Sequence, residues 1–183
     1  LLQPDWVVAL KDAMSTCDAV SAPLAVDGTG QILAACANGQ IWALVPGAQA
    51  PTPALLFTAG PLADSLVVQK SGALVFATGD SRLRKRLPGA AAAAWATDLQ
   101  NTVTGWLAVQ ADAAGVSLVA VTSKGDLHAL KDDGSVVWST GATPLGAAAL
   151  RGPTVAPAIS SQRRPTLYVS SSDGKLHAVV VDT

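Results

Sequence analysis

Hydrophobic and polar residues alternate along most of this chain in short runs, which is the pattern of β-strands rather than helices. Four such runs follow turn-type residues and align on Ile41, Leu83, Leu127 and Leu176, at spacings of 42, 44 and 49 residues. They cover residues 39–44, 81–86, 125–130 and 174–179. An apolar run precedes each of them, at 31–36, 73–78, 117–122 and 166–171. The sequence therefore predicts four β-hairpins, and connections such as Asn38-Gly39 and Asp173-Gly174 suit their tight turns.

Two more strands complete each unit. An upstream run recurs at 22–26, 60–64, 105–109 and 156–160, and a downstream run recurs at 53–58, 91–97 and 135–140. Units of four short strands that repeat every 40 to 50 residues are typical of propeller blades. We therefore predict an all-β fold, a β-propeller of about four antiparallel blades at roughly 20–58, 59–98, 103–140 and 151–182, in one domain spanning 1–183.

The fourth unit stops before its outer strand. Residues 5–10, with the sequence DWVVAL, resemble the outer strands of the other units. Because a propeller must protect the edges of its ring, we expect residues 5–10 to supply an outer strand. Three alternatives stay open: the strand closes a four-bladed ring, completes the last blade of a second copy, or belongs to a blade outside this chain. The third alternative makes the chain a piece of a longer protein.

Composition limits the function classes. The 183 residues are 50% hydrophobic and 14% charged, with a formal net charge of −1, which favours one domain with an ordinary core. This balance predicts neither nucleic-acid binding nor an anionic membrane surface as a partner. No apolar stretch is long enough to span a bilayer, and residues 1–4 do not resemble a signal peptide.

The two hairpins with the sequences DGKLHAV (173–179) and DDGSVVW (132–138) resemble the quinoprotein-type or PQQ-like repeat. NGQIWAL (38–44) is also similar to it, whereas the copy around Ser81 departs, with Ser81 in place of Gly and three basic residues after Leu83. The resemblance covers nearly all of the chain after residue 20 and implies a propeller. It implies little about function.

Quinone-dependent enzymes with this repeat use vicinal cysteines, a calcium site containing Glu, and a catalytic Asp. This sequence contains no adjacent cysteine pair and no Glu. We therefore expect a protein that is not an enzyme and has no cofactor, similar to the non-enzymatic branch that includes the outer-membrane assembly lipoprotein propeller. A protein-binding or scaffolding module outside the cytoplasm is the main hypothesis. The alternatives are a small-ligand binder or quinone enzyme that uses the central channel, and a structural segment of a larger bacterial surface protein.

Cys17 and Cys36 are either two buried thiols or one disulfide. In a hairpin that turns at 27–30, Cys36 pairs near residue 21, which brings Cys17 within reach on the same face. The register favours the disulfide, and a disulfide implies an oxidising compartment such as the periplasm, the cell surface or the exterior. A zinc site is not expected, because the two histidines are far from both cysteines in sequence.

Other candidate residues carry weaker signals. Arg82, Arg84, Lys85 and Arg86 form either an anion or acidic-partner patch or a solvated strand face. His128 and His177 occupy one repeat position, where packing between blades explains both. Trp106 replaces the proline of the first strand, so it could face a ligand in the channel. The Asp-Gly pairs are explained by turn chemistry, without calcium. The predicted partner surface comprises the hairpin turns and the loops at 11–21 and 141–155. The predicted partner is a protein, which is either a different protein or a second copy of this chain that completes the ring.

Overall fold

The computed structural model describes residues 17, 19–21, 24–47, 51–108, 115–141, 145–146, 152–156 and 166–180. Every regular element within these ranges is a β-strand. No helix in this part of the chain has the length and apolar character needed to cross a membrane. The predicted outer strand at 5–10 lies outside the described residues, as do most of the loops at 11–21 and 141–155.

Four sheets follow one another along the chain, and hydrogen-bonded neighbours within each sheet follow chain order. The first contains β1 (Ala25–Val26), β2 (Ile32–Ala35), β3 (Gln40–Leu44) and β4 (Ala54–Thr58). The second contains β5 (Leu62–Val68), β6 (Leu74–Thr78), β7 (Arg82–Arg86) and β8 (Trp95–Asp98). The third contains β9 (Val103–Ala108), β10 (Val116–Thr122), β11 (Leu127–Lys131) and β12 (Val136–Ser139). Among the described residues the fourth has three strands, β13 (Thr154–Ala156), β14 (Thr166–Ser170) and β15 (Leu176–Val180).

The second and third strands of the units lie where the sequence predicted them, as do β4 and β12, because alternation and turn residues mark them directly. The run predicted at 91–97 was placed too early, since β8 begins at Trp95. The first strand of the last unit is different. β13 pairs Thr154 with Tyr168 and Ala156 with Thr166, so it lies earlier in the chain than the predicted run at 156–160, of which 157–160 are outside the described residues. The hydrogen-bond register with β14 defines this strand, and the spacing of the repeated runs does not contain that register.

The hairpin turns between the second and third strands show why one residue type recurs there. Gly39, Gly125 and Gly174 have φ values of +84°, +82° and +78°. Such left-handed geometry is accessible to glycine without steric cost. Ser81 occupies the equivalent turn of the second sheet and also has a positive φ, at +66°. The second hairpin therefore keeps the turn geometry and tolerates the strain of a side chain there.

The chain divides into two compact units. The first comprises the described parts of Leu1–Gly79 and Lys85–Ala94, and the second those of Asp80–Arg84 and Trp95–Thr183. Side chains from β2, β3, β5 and β6 form the core of the first unit: Leu33, Ala35, Ile41, Ala43, Leu66, Leu74 and Phe76. In the second unit, Trp138 and Val179 pack against both of two buried clusters, which contain Leu127 and Leu167 among others. Trp138, on the outer strand β12, thus packs on the core of this unit.

Candidate functional site

A cavity of about 240 Å³ lies in the first unit. The turn after β1, strands β2 and β4, the turn before β6 and the segment that follows β7 all contribute to it. Its lining is mainly apolar, with one cation and one carboxylate: Asp27, Gln31, Leu33, Leu56, Phe57, Gly72, Leu74, Arg86, Leu87, Pro88, Gly89 and Ala90. No sequence pattern predicted this cavity, because its walls come from segments that are far apart in the chain.

Arg86 is the cation of the cavity. Its guanidinium carbon lies 3.8 Å from the centroid of the Phe57 ring, which is the distance of a close cation–π contact. Phe57 in turn packs on Phe76, with ring centroids 5.8 Å apart. Partial burial lowers the pKa of Arg86 from its usual value, although an arginine keeps its charge throughout the physiological range. A fixed positive charge therefore lies against an aromatic wall.

Asp27 is the carboxylate of the cavity, and one of its oxygens accepts hydrogen bonds from the β1–β2 turn. Its Oδ1 accepts hydrogen bonds from the Thr29 N–H at 2.8 Å, the Thr29 hydroxyl at 2.7 Å and the Gln31 N–H at 2.9 Å. The Thr29 hydroxyl is the main cause of a lowered pKa of Asp27. Asp27 is thus ionised at neutral pH and holds the β1–β2 turn, the structural role that the sequence predicted for its Asp-Gly pair.

The structure divides the predicted basic patch. Arg82 is exposed, Leu83 and Lys85 are buried, and Arg84 and Arg86 are half-buried. Arg84 forms an ion pair with Asp80, and Arg86 packs on Phe57. Lys85 is 6% exposed, so its position on β7 differs from that of a solvated patch residue. Arg86 alone of the four lines the cavity, and the binding of an anion or acidic partner by these four residues stays a prediction.

Cys17 and Cys36 form a disulfide with their Cα atoms 5.5 Å apart. Both cysteines are buried, and Trp42 packs against them. An isolated bridge pairs Val20 with Cys36, one residue from the register expected from the sequence. The disulfide therefore ties the segment before β1 to the end of β2.

His128 and His177 occupy equivalent positions on β11 and β15, and both are half-buried. Nε2 of His128 is buried without a hydrogen-bond partner among the described residues, and burial is the main cause of a lowered pKa of His128, opposed by the charge of Asp126. Nε2 of His177 lies 2.8 Å from the Ser171 hydroxyl oxygen. His128 is therefore a packed strand residue, whereas His177 also belongs to a polar cluster.

That cluster contains a serine, a histidine and an aspartate without the geometry of a hydrolase triad. The Ser171 hydroxyl donates to the carboxylate of Asp173, so its proton is not directed at His177. Ser171 is also 1% exposed, which keeps substrates away from its oxygen. A triad needs a base that takes the serine proton and an acid that orients this base. Asp173 instead accepts from the Lys175 ammonium and from Ser171, and both lower its pKa.

Trp106 lies on β9, opposite Ala120 of β10, and is 6% exposed. Its indole N–H has no hydrogen-bond partner among the described residues. A Cβ placed on Gly152 would lie 3.0 Å from the Trp106 backbone nitrogen, so glycine permits this close approach. Trp106 does not line the 240 Å³ cavity. Its proposed role in a central channel stays a prediction.

The third strand of the fourth sheet, β15, exposes apolar side chains, whereas the third strand of each other sheet buries its leucine or isoleucine at the equivalent position. Ile41, Leu83 and Leu127 are all 0% exposed at one repeat position, whereas Leu176 at that position is 71% exposed. Val180 on the same strand is 53% exposed. Among the described residues β15 has one hydrogen-bonded neighbour, β14. In the part of the chain that the structure describes, the edge of β15 away from β14 has no paired strand, and the exposed apolar residues lie on this same strand.

No group of three or more His, Cys, Asp or Glu side chains in the described ranges could hold a metal ion. Comparison with protein-family models and with curated proteins gave no match. Solved structures do match. The chain superimposes on BamB from Moraxella catarrhalis with a TM-score of 0.66 at 18% identity, over 89% of this chain and 47% of that chain.

Two other structures have a similar fold. The computationally designed Ika4 protein matches with a TM-score of 0.64 at 11% identity, over 91% of this chain and 96% of that chain. BBS1N, solved in complex with ARL6DN, matches with a TM-score of 0.62 at 14% identity, over 86% and 49%. BamB and BBS1N are β-propellers, and the present chain spans about half of each. The protein has a β-propeller fold. This confirms the fold predicted from the four-strand repeat.

Proposed function

We propose that this chain is a protein-binding or scaffolding module of a PQQ-like β-propeller outside the cytoplasm, and that its partner adds a strand beside β15. The contrast between Leu176 and its three equivalents carries this proposal. Ile41 and Leu127 are buried in clusters that include Leu66 and Val169 of the following sheet, whereas Leu176 is 71% exposed. A partner on the fourth sheet would therefore cover this apolar face as well as pair with the edge of β15. Backbone groups on an open strand edge bind an added strand, and the neighbouring side chains give specificity.

Comparison with other propellers supports protein binding. BBS1N was solved in complex with ARL6DN, so a propeller of similar fold binds a protein. We extend that use to the present chain on the basis of its open β15 edge. The absence of Glu and of adjacent cysteines, together with the buried hydroxyl of Ser171, supports a function other than catalysis.

A photo-crosslinking experiment tests the partner. A benzophenone side chain at position 176, in cells that produce the chain, should form a crosslink to a second polypeptide, which mass spectrometry then identifies as another copy or a different protein. The same group at position 136 is the matched control, since Val136 is 44% exposed on another outer strand. Crosslinks from position 176 only to residues 1–16 of the same chain would show that β15 is covered internally and would contradict the proposal.

The location outside the cytoplasm is supported by the Cys17–Cys36 disulfide, because disulfides persist mainly in oxidising compartments. Cells lysed directly into denaturant that contains a thiol-alkylating reagent should yield a chain in which neither cysteine is labelled, since denaturation exposes any free thiol to the reagent. Labelling of both cysteines without added reductant would place the native chain in a reducing compartment.

A further inference from the structure

The cavity of the first unit combines a positive charge with apolar walls, and this combination points to a class of ligand. We propose that the cavity binds a carboxylate carried on a short apolar stem. The carboxylate would contact Arg86, and the stem would lie among Leu33, Leu56 and Leu74. This site is separate from the β15 edge, and the proposal does not rest on the proposed function.

The guanidinium of Arg86 is suited to a carboxylate. Within the described residues it packs on the Phe57 ring, and no ion pair joins Arg86 to a carboxylate there. Stacking on a ring uses the face of a guanidinium and leaves the N–H groups in its plane available. Those N–H groups form a planar fork that matches the two oxygens of a carboxylate. Partial burial strengthens such a contact, because less water competes for it.

Asp27 limits which anions fit. Its Oδ1 accepts three hydrogen bonds from Thr29 and Gln31, and its carboxylate adds a negative charge to the lining of the cavity. A second negative charge on a ligand would be repelled there. A ligand with one carboxylate is therefore favoured over a phosphate dianion or a dicarboxylate.

The volume limits the stem. Typical sites for small molecules occupy about 300–1,000 Å³, and the 240 Å³ cavity is smaller. It suits a small acid rather than a drug-sized ligand. An acid such as 4-methylpentanoate or the terminal leucine of a peptide has this size, so the same chemistry could come from a free acid or from a peptide end.

Titrations of the whole chain test the proposal and separate the two sources. The first arm uses 4-methylpentanoate and its uncharged analogue 4-methylpentan-1-ol, and the second uses acetyl-Ala-Leu with a free or an amidated C-terminus. We follow the Arg86 side-chain Nε–H signal by NMR. Saturable binding with a Kd on the order of 1 mM is expected for at least one of the acids, and tenfold or greater weakening for the corresponding alcohol or amide.

Two substitutions on one strand provide the control. Arg86→Gln should weaken binding of the acid at least tenfold, whereas Arg82→Gln, on the exposed part of β7, should leave it unchanged. Equal binding of acid and uncharged analogue, or binding that survives Arg86→Gln, overturns the proposal. If Arg86→Gln impairs folding, the wild-type signal decides alone, because a Nε–H resonance unmoved by 20 mM of either acid would equally overturn it.

Discussion

The indole N–H of Trp95 donates a hydrogen bond of 2.8 Å to the backbone carbonyl of Asp132. This contact joins the outer strand of the second sheet to the turn between β11 and β12. Beside it, the Thr97 hydroxyl donates to the carbonyl of Gly134 over 2.6 Å. The ring of Trp95 covers Gly134 so closely that the position of an added Cβ would lie 2.5 Å from its Cδ2 atom. One turn therefore provides two acceptors and the space for the indole.

Gly134→Ala should disrupt this contact. Alanine would be strained at the φ of +84° and would displace the Trp95 ring, so we expect a loss of about 2–4 kcal/mol in the free energy of unfolding. Gly30→Ala is the matched control, because its φ is +86° and no atom lies within 4 Å of its Cβ position. That variant should lose only about 1–2 kcal/mol. Urea unfolding measures both, and equal losses would show that the ring contact contributes nothing.

Ser81→Gly should stabilise the protein. Ser81 is held at a φ of +66°, where a side chain costs about 1–2 kcal/mol, and glycine loses roughly 0.5–1 kcal/mol more backbone entropy on folding. The net gain should be about 0.5–1 kcal/mol by urea unfolding. Ser123 lies in the equivalent turn of the third sheet without a positive φ, so Ser123→Gly should destabilise. A gain from both substitutions would contradict the strain at Ser81.

Removal of the disulfide should destabilise the first unit. The bridge joins residues that are 19 apart, and closing a loop of that length in the unfolded chain stabilises the fold by about 3 kcal/mol. Reductant should lower the unfolding midpoint of the wild type to that of the Cys17→Ala/Cys36→Ala variant. The variant itself should not respond to reductant, and a wild type equally insensitive to it would contradict a stabilising role.

His128 should make stability depend on pH in mildly acidic solution. Burial lowers the pKa of His128 in the folded state below 6.5, so the unfolded chain binds a proton more readily. The contribution is fully present above the unfolded pKa and is lost as the pH falls below about 6.5 toward the folded value. Wild type should therefore lose stability between pH 7.5 and 5.5 more steeply than His128→Phe in urea unfolding. Identical pH dependence of the two would contradict this assignment.

Much of the fold could be predicted from the sequence. The positions of Ile41, Leu83, Leu127 and Leu176 predicted the hairpins because alternation along a strand is a local property. The place of β13 was not predictable in this way, because Thr154 and Ala156 are defined by their pairing with Tyr168 and Thr166 across the sheet.

The candidate sites show the same limit. The proximity of Cys17 and Cys36 followed from a hairpin register, which is a short-range relation. The stacking of Arg86 on Phe57 carries no signal in sequence, since it joins the end of one strand to the outer strand of another sheet. For the same reason the basic run at 82–86 suggested one patch, whereas the structure assigns its members to different contacts.

The sequence by itself determined the repeat, the turn chemistry and the propeller architecture, because these depend on residues that are close in the chain. Only the tertiary structure decided which equivalent positions are alike. Leu176 has the same place in its hairpin as Ile41, Leu83 and Leu127, yet it is 71% exposed where they are 0%. Burial is determined by what packs on a residue from elsewhere, and that information is not contained in the residue's own repeat.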